Sequence, residues 1–206
     1  MTLLRYDEAD DLQRLNRLPV SLRVLFALLV VLRILPAYRR FHAKTRRGDP
    51  VVLEGIVEQL WKDLLGSKLS NEELQSMVAM TTALIPREDD GWDQETQPYA
   101  EDAAAALAYA VRARLTGNVQ EAGWAARRGY EAIAHLVAST SDTSGDSTMA
   151  EMTVLSDARI QVELARQKRD LEELNELATK GADKGCLREM RARSEREAMS
   201  VFSIAH

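Results

Sequence analysis

Apolar residues recur through most of the chain at i, i+3, i+4 and i+7, and almost nowhere alternate as a half-buried strand would require. Leu12, Leu15 and Leu18 share one face of a short helix over 8–18, with Asp7 placed to cap its first turn. Pro19 opens a second helix, 19–47, as a first-turn proline does. Within it Pro36 removes a backbone donor and crowds the preceding turn, which predicts a kink near Ile34 and Leu35. Gly48 ends that helix, and Asp49-Pro50 starts the next with an N-cap and a first-position proline. Its apolar stripe is Val52, Leu53, Ile56, Leu60, Trp61, Leu64 and Leu65. Ser70 followed by Glu73 has the form of a capping box and opens a fourth helix through Leu74, Met77, Val78 and Leu84, stopped at Ile85-Pro86.

Pro98 begins an alanine-rich helix whose Ala103–Ala106 run combines high helix propensity with little bulk, which suits close packing of helix axes. Thr116-Gly117-Asn118 is a turn, and 119–138 follow as a helix with Val119, Ala122, Ala126, Tyr130, Ile133 and Val137 on one side. A polar Ser/Thr-rich stretch, 139–148, reads as a mobile loop. The last helix, 150–179, carries Ile160, Leu164, Leu171 and Leu174. Docking of that stripe on the core is favoured, while a homo-oligomer seam stays open. Residues 186–206 read as a C-terminal tail, since the alternating Val201-Phe202-Ser203-Ile204 cannot make a sheet alone. The expectation is an all-α fold, a single compact bundle of about seven helices over 1–206.

Composition agrees with one globular domain: 206 residues, 46% hydrophobic and 29% charged. The net charge of −5 is unevenly spread. Residues 1–50 hold ten Lys/Arg against five Asp/Glu, 51–106 three against twelve, and the remainder fourteen against fifteen. An acidic middle argues against nucleic acid, whose affinity needs clustered cations, and fits a basic protein partner. The basic run Arg39, Arg40, Lys44, Arg46 and Arg47 lies at a helix C-terminus, where cations complement the dipole. Cys186 is the only cysteine, so no intramolecular disulfide forms, and a reducing, cytoplasmic setting is expected. The uncharged run Val24–Leu32 is far shorter than the ~20 residues of a membrane span, which predicts a buried helix.

One segment resembles a site. In Ile85–Glu95 the carboxylates Glu88, Asp89, Asp90, Asp93 and Glu95 surround Trp92, combining charge that steers a basic partner with an aromatic anchor. The bland alternative is a solvated loop with a tryptophan on the core. The segment lacks the alternating ligands of a calcium loop. Elsewhere, Glu131 and His135 lie one helical turn apart, and Asp102 or Glu101 could face them from the neighbouring helix. Even so, Glu-x-x-x-His is not the Glu-x-x-His pair of di-iron bundles, and no second copy exists, so no metal or cofactor is expected. No nucleophile elbow or phosphate-binding glycine motif occurs, and no catalytic residue is assigned. Asp102, if buried, needs a partner such as Arg39.

Several pieces in combination resemble the YjaG-like family of bacterial proteins, domain of unknown function 416. They are Leu35-Pro36-Ala37-Tyr38 with Phe41, Thr45 and Gly48-Asp49; Ile56 with Leu60-Trp61; Ile85-Pro86 with Asp89-Asp90; and Pro98, Ala100, Asp102-Ala103 and Leu107. The likeness covers roughly 22–140. It implies a compact helical bundle in which Pro36, Tyr38, Gly48, Asp49, Trp61, Pro98 and Asp102 serve the framework, and it implies no reaction. By analogy, small acidic helical proteins of this kind look like inhibitors or immunity partners of bacterial toxins. The expected function is therefore a non-enzymatic protein-binding module. The alternative is a small helical enzyme or ligand-binding protein built on Asp102, Glu131 and His135.

Overall fold

The computed structural model describes residues 3–87, 93, 95–140, 147–181 and 183–202. Among these there are nine helices and no strand: α1 (Glu8–Asn16), α2 (Val20–Thr45), α3 (Pro50–Leu64), α4 (Asn71–Ala83), α5 (Gln97–Thr116), α6 (Val119–Thr140), α7 (Ser147–Ser156), α8 (Ala158–Lys180) and α9 (Lys184–Phe202). The chain ends them as local chemistry dictates. Asp7 accepts from the Asp10 amide, Asp49 from Val51 and Val52, and Ser70 with Glu73 closes a full capping box. Gly117 terminates α5 in the left-handed region. Arg23 answers the carbonyl ends: its guanidinium donates to Leu15, Asn16, Leu18 and Gly117.

Helix α2 is the axis. Eight successive residues, Val24–Val31, have no exposure, which a helix can achieve only when packed on all sides. It contacts α5, α6 and α9 extensively, and α3 and α8 as well. By length and composition α2 would suffice to cross a membrane, but most of it is buried inside the bundle. Its neighbours come close because they are small. Ala103, Ala104 and Ala106 of α5 are fully buried, and a Cβ added to Gly129 of α6 would collide with the Val30 side chain.

Pro36 does not end α2, which is assigned continuously from Val20 to Thr45. It does leave the Leu32 carbonyl without the usual donor. The helix stops at Thr45, and Arg46 takes the left-handed cap conformation (φ 61°) two residues before Gly48. Gly48 is also left-handed (φ 69°), and any side chain there would strike the Tyr38 ring. The Tyr38 hydroxyl donates to the Leu84 carbonyl at 2.9 Å, so α2, the α3 entry and the end of α4 are tied at one point.

Three regions differ from the sequence-based expectation. Of the stretch 139–148 read as a mobile loop, 139–140 belong to α6 and 147–148 to α7, and 141–146 lie outside the described residues. The single helix expected over 150–179 is divided, because Asp157 adopts an extended conformation and accepts from the Arg159 amide, starting α8 anew. The stretch read as a tail forms α9 as far as Phe202, with the Asp183 carboxylate accepting from the Cys186 amide at its start. Among the residues of α9 whose side chains are described, Leu187, Met190, Ser194 and Ala198 are buried.

The attachment is Arg33. Its guanidinium is buried within α2 and takes the Glu163 carboxylate through Nε (3.0 Å) and Nη2 (3.0 Å), and Asp170 through Nη1 (2.6 Å). Glu163 and Asp170 are buried on α8, and Ser194 of α9 accepts at 3.4 Å. Burial disfavours the charge, but the two carboxylates outweigh it and raise the Arg33 pKa above its ordinary value. Asp170 also accepts from Arg169 and Arg193, and Arg169 reaches Glu197 of α9 at 2.7 Å. Around this network Ile160, Leu164, Leu171 and Leu174 are buried in the chain's own core.

Removing one member of a buried ion pair leaves the other charge uncompensated. Asp170→Ala is therefore expected to cost about 3–5 kcal/mol in urea unfolding. The triple replacement Arg33→Met, Glu163→Leu, Asp170→Leu should lose far less, because no charge is left stranded. A single variant as stable as the parent would show that the network does not hold α8. Gly129→Ala should separately destabilise by about 1–3 kcal/mol through overpacking against Val30.

Candidate functional site

Glu88, Asp89, Asp90 and Trp92 of the acidic segment lie outside the described residues. Asp93 and Glu95 are described, and their charge is met within the chain. Lys44, near the end of α2, donates to Asp93 at 2.9 Å and to Glu95 at 2.6 Å, and Arg40 reaches Glu95 at 3.2 Å. These bonds lower the Glu95 pKa and raise that of Lys44. For Asp93 burial opposes the charge, but the Thr96 hydroxyl and Lys44 outweigh it and lower its pKa. Gln97, buried at the start of α5, donates to the Arg87 carbonyl at 2.8 Å. Both ends of the segment are thus fixed to the bundle. The basic run at the α2 terminus, read from sequence as dipole complement, has a second use that the opposite charge of 93–95 could have signalled.

Three of the four chemistry-bearing residues expected on α5 and α6 do converge, joined by an arginine. Asp102, buried in α5, accepts from His135 Nδ1 and from Arg128 Nη1, each at 2.8 Å. Arg128 also pairs with Glu131 at 3.2 Å, and Arg127 donates to Glu131 at 2.8 Å. The Asp102 partner is thus Arg128 rather than Arg39, which pairs instead with Glu54 at 2.6 Å, because Arg128 shares the α5–α6 seam. The Asp102 bond raises the His135 pKa, working against burial, with Glu131 and Glu101 adding to the rise. With Nδ1 held by Asp102, the half-exposed imidazole turns its other nitrogen away from the carboxylate. Among the described residues no group of three or more His, Cys, Asp or Glu could hold a metal ion.

Further along the seam, Tyr109 and Trp124 lie with ring centroids 5.4 Å apart at 50°, and Arg112 caps the Tyr109 ring at 5.7 Å. Tyr109, Trp124, Arg127, Arg128 and Glu131 line a cavity of about 250 Å³. A larger groove of about 590 Å³ opens on another side, floored by Leu32, Leu35, Pro36, Val57 and Ala198 and crossed by Arg191, which stacks on the buried Trp61 at 5.2 Å. The larger groove was not legible in sequence, since it joins helices distant in the chain, whereas the smaller cavity lies between the consecutive helices α5 and α6. Of the residues expected to serve the framework, Tyr38, Gly48 and Trp61 are packed as described, Asp49 caps α3, and Pro98 sits in the first turn of α5.

The fold and these sites define an all-helical bundle wound on one central, largely apolar helix, with ionic clusters among its polar features. The chain belongs to the family described as "Protein of unknown function (DUF416)", whose model matches residues 11–205. The match extends well past the 22–140 that carry the resemblance and takes in α8 and α9. No curated protein matches. A solved structure of a DUF416 family protein from Shewanella baltica OS155 superposes with a TM-score of 0.78 at 21% identity, covering 90% of this chain and 93% of that one. That likeness shows the fold.

The histidine pair yields a sign-definite expectation. Because the folded pKa of His135 is raised, its stabilising contribution is fully present below the ordinary histidine value and is lost as pH rises through the folded value. Asp102→Asn should move the His135 NMR titration back toward the ordinary range of about 6.5 and cost more stability at about pH 5.5 than at about pH 8.5. A His135 titration indifferent to the change would remove Asp102 as its cause.

Proposed function

We propose that the protein is a non-enzymatic module that binds another protein through the acidic, tryptophan-bearing segment between α4 and α5, in the manner of an inhibitor or immunity partner. The observation that supports this reading is the anchorage of the segment. Arg87 is fixed by Gln97, and Asp93 with Glu95 is fixed by Lys44 and Arg40. Fixing both ends lowers the ordering cost that a partner would otherwise meet. The anchorage also redistributes roles within the segment. Asp93 and Glu95 are committed to cations of their own chain, and on this reading the contact with a basic partner is made by Glu88, Asp89, Asp90 and Trp92. Three carboxylates beside one aromatic ring combine electrostatic steering with a hot-spot side chain. The rival reading, an enzyme or ligand-binding protein, draws on the Asp102–His135 bond, which orients an imidazole as catalytic dyads do.

The test begins with a partner purified from the native host and measured by calorimetry. Asp89→Asn, Asp90→Asn and Trp92→Ala together should weaken binding by at least about tenfold, with the charge changes also flattening its salt dependence. Unchanged affinity in a folded variant would sink the assignment.

A further inference from the structure

The α5–α6 seam has a layered charge distribution that the acidic character of the whole chain conceals. Its carboxylates lie underneath: the Asp102 and Glu121 side chains are 1% and 4% exposed. Its cations lie on top: Arg112 and Arg127 are 43% and 52% exposed, and the His135 imidazole beside them is 47% exposed. Arg112 is steered by Glu121, with Nε and Nη2 both directed at one carboxylate oxygen at 3.0 and 2.8 Å. Arg128 is steered by Asp102 and Glu131, and Glu131 is shared between Arg127 and Arg128. A guanidinium carries five N–H donors, so each arginine keeps donors beyond those its carboxylate partners occupy. The side chains are pre-ordered before any ligand arrives, which reduces the entropy lost on binding. Between them lie the half-buried Tyr109 and Trp124 rings and the cavity of about 250 Å³.

We propose that this face is an interaction surface for an acidic segment of a protein partner. Its carboxylates would take the outward N–H groups of Arg112, Arg127 and Arg128, and one of its apolar side chains would enter the cavity beside Trp124. Charge complementarity selects the occupant: the outermost charges here are positive on a chain of net charge −5. Arg forks match carboxylates bidentately, and Trp and Tyr supply apolar area at small entropic cost. The face is separate from the acidic segment of the preceding reading and stands or falls independently of it.

The experiment uses the full chain and two peptides, acetyl-Glu-Glu-Phe-Asp-Glu-amide and its uncharged Gln/Asn counterpart, with the Trp124 indole N–H followed by NMR. The acidic peptide is expected to shift that resonance saturably, and the uncharged one to leave it unmoved. Arg127→Gln should weaken the acidic peptide by about tenfold, the effect of one charge-assisted bond. This variant keeps the fold, since Arg127 is half exposed and Glu131 retains Arg128. Asp89→Asn with Asp90→Asn should leave the peptide affinity unchanged. The proposal is overturned by an absent or non-saturable shift, by equal binding of the uncharged peptide, by an Arg127→Gln variant that binds normally, or by inorganic pyrophosphate competing as strongly as the peptide binds.

Discussion

A guanidinium placed in the middle of the most apolar helix of a protein has to be answered, and the answer given to Arg33 organises the second half of this fold. An unpaired charge at that depth would cost several kcal/mol, a large share of the about 5–15 kcal/mol that holds a domain of this kind folded. Glu163 and Asp170, seven residues apart and so two turns along one face of α8, present two carboxylates at the spacing the guanidinium can bridge. Satisfying Arg33 therefore fixes the rotation of α8 about its axis, and that rotation is the one that buries Leu164, Leu171 and Leu174. The outer ring of Arg169, Arg193 and Glu197 carries the same logic to α9. Buried ion pairs of this sort add little net stability over a hydrophobic equivalent. Their contribution is to make a single docking register much better than its neighbours.

The residues that carry the family likeness fall into place on the same view. Tyr38, Gly48 and the end of α4 meet at one hydrogen bond, Asp49 caps α3, Trp61 is packed beneath Arg191, and the alanines after Asp102 let α5 approach α2. Each is a place where geometry tolerates few alternatives. A sequence signature made of such positions specifies a shape and leaves the surface chemistry to vary. That is consistent with a family defined by its fold while its function is unassigned.

Charge is managed by the same pairing across distance. The acidic middle of the chain is not a uniform acidic surface: Asp63 is held by Arg114, Glu54 by Arg39, Glu58 by Arg191, and Asp93 with Glu95 by Lys44. What faces solvent is decided by which member of each pair is left outermost. On the α5–α6 seam it is the arginines, and so an acidic protein can present a cationic, aromatic-floored face.

Much of the architecture was written locally. Asp7, Asp49, Ser70 with Glu73, and Gly117 each act within about four residues, and the apolar stripes of α1–α6 follow from helical periodicity, so helix identity and most boundaries could be read from the chain. Asp157 was equally local but was hidden by a pattern that continued through it, and α9 was missed because its described buried residues, Leu187, Met190, Ser194 and Ala198, are set among many charges. Asp102, Glu131 and His135 were recognisable as neighbours across two adjacent helices, but Arg128, which joins Asp102 to Glu131, was not. The sequence by itself determined an all-helical chain with a buried, largely apolar second helix, because periodicity and capping are short-range chemistry. The tertiary structure alone decided which charges meet, since Arg33 lies 130 residues from Glu163 and Lys44 49 from Asp93, and only packing selects among so many possible pairs.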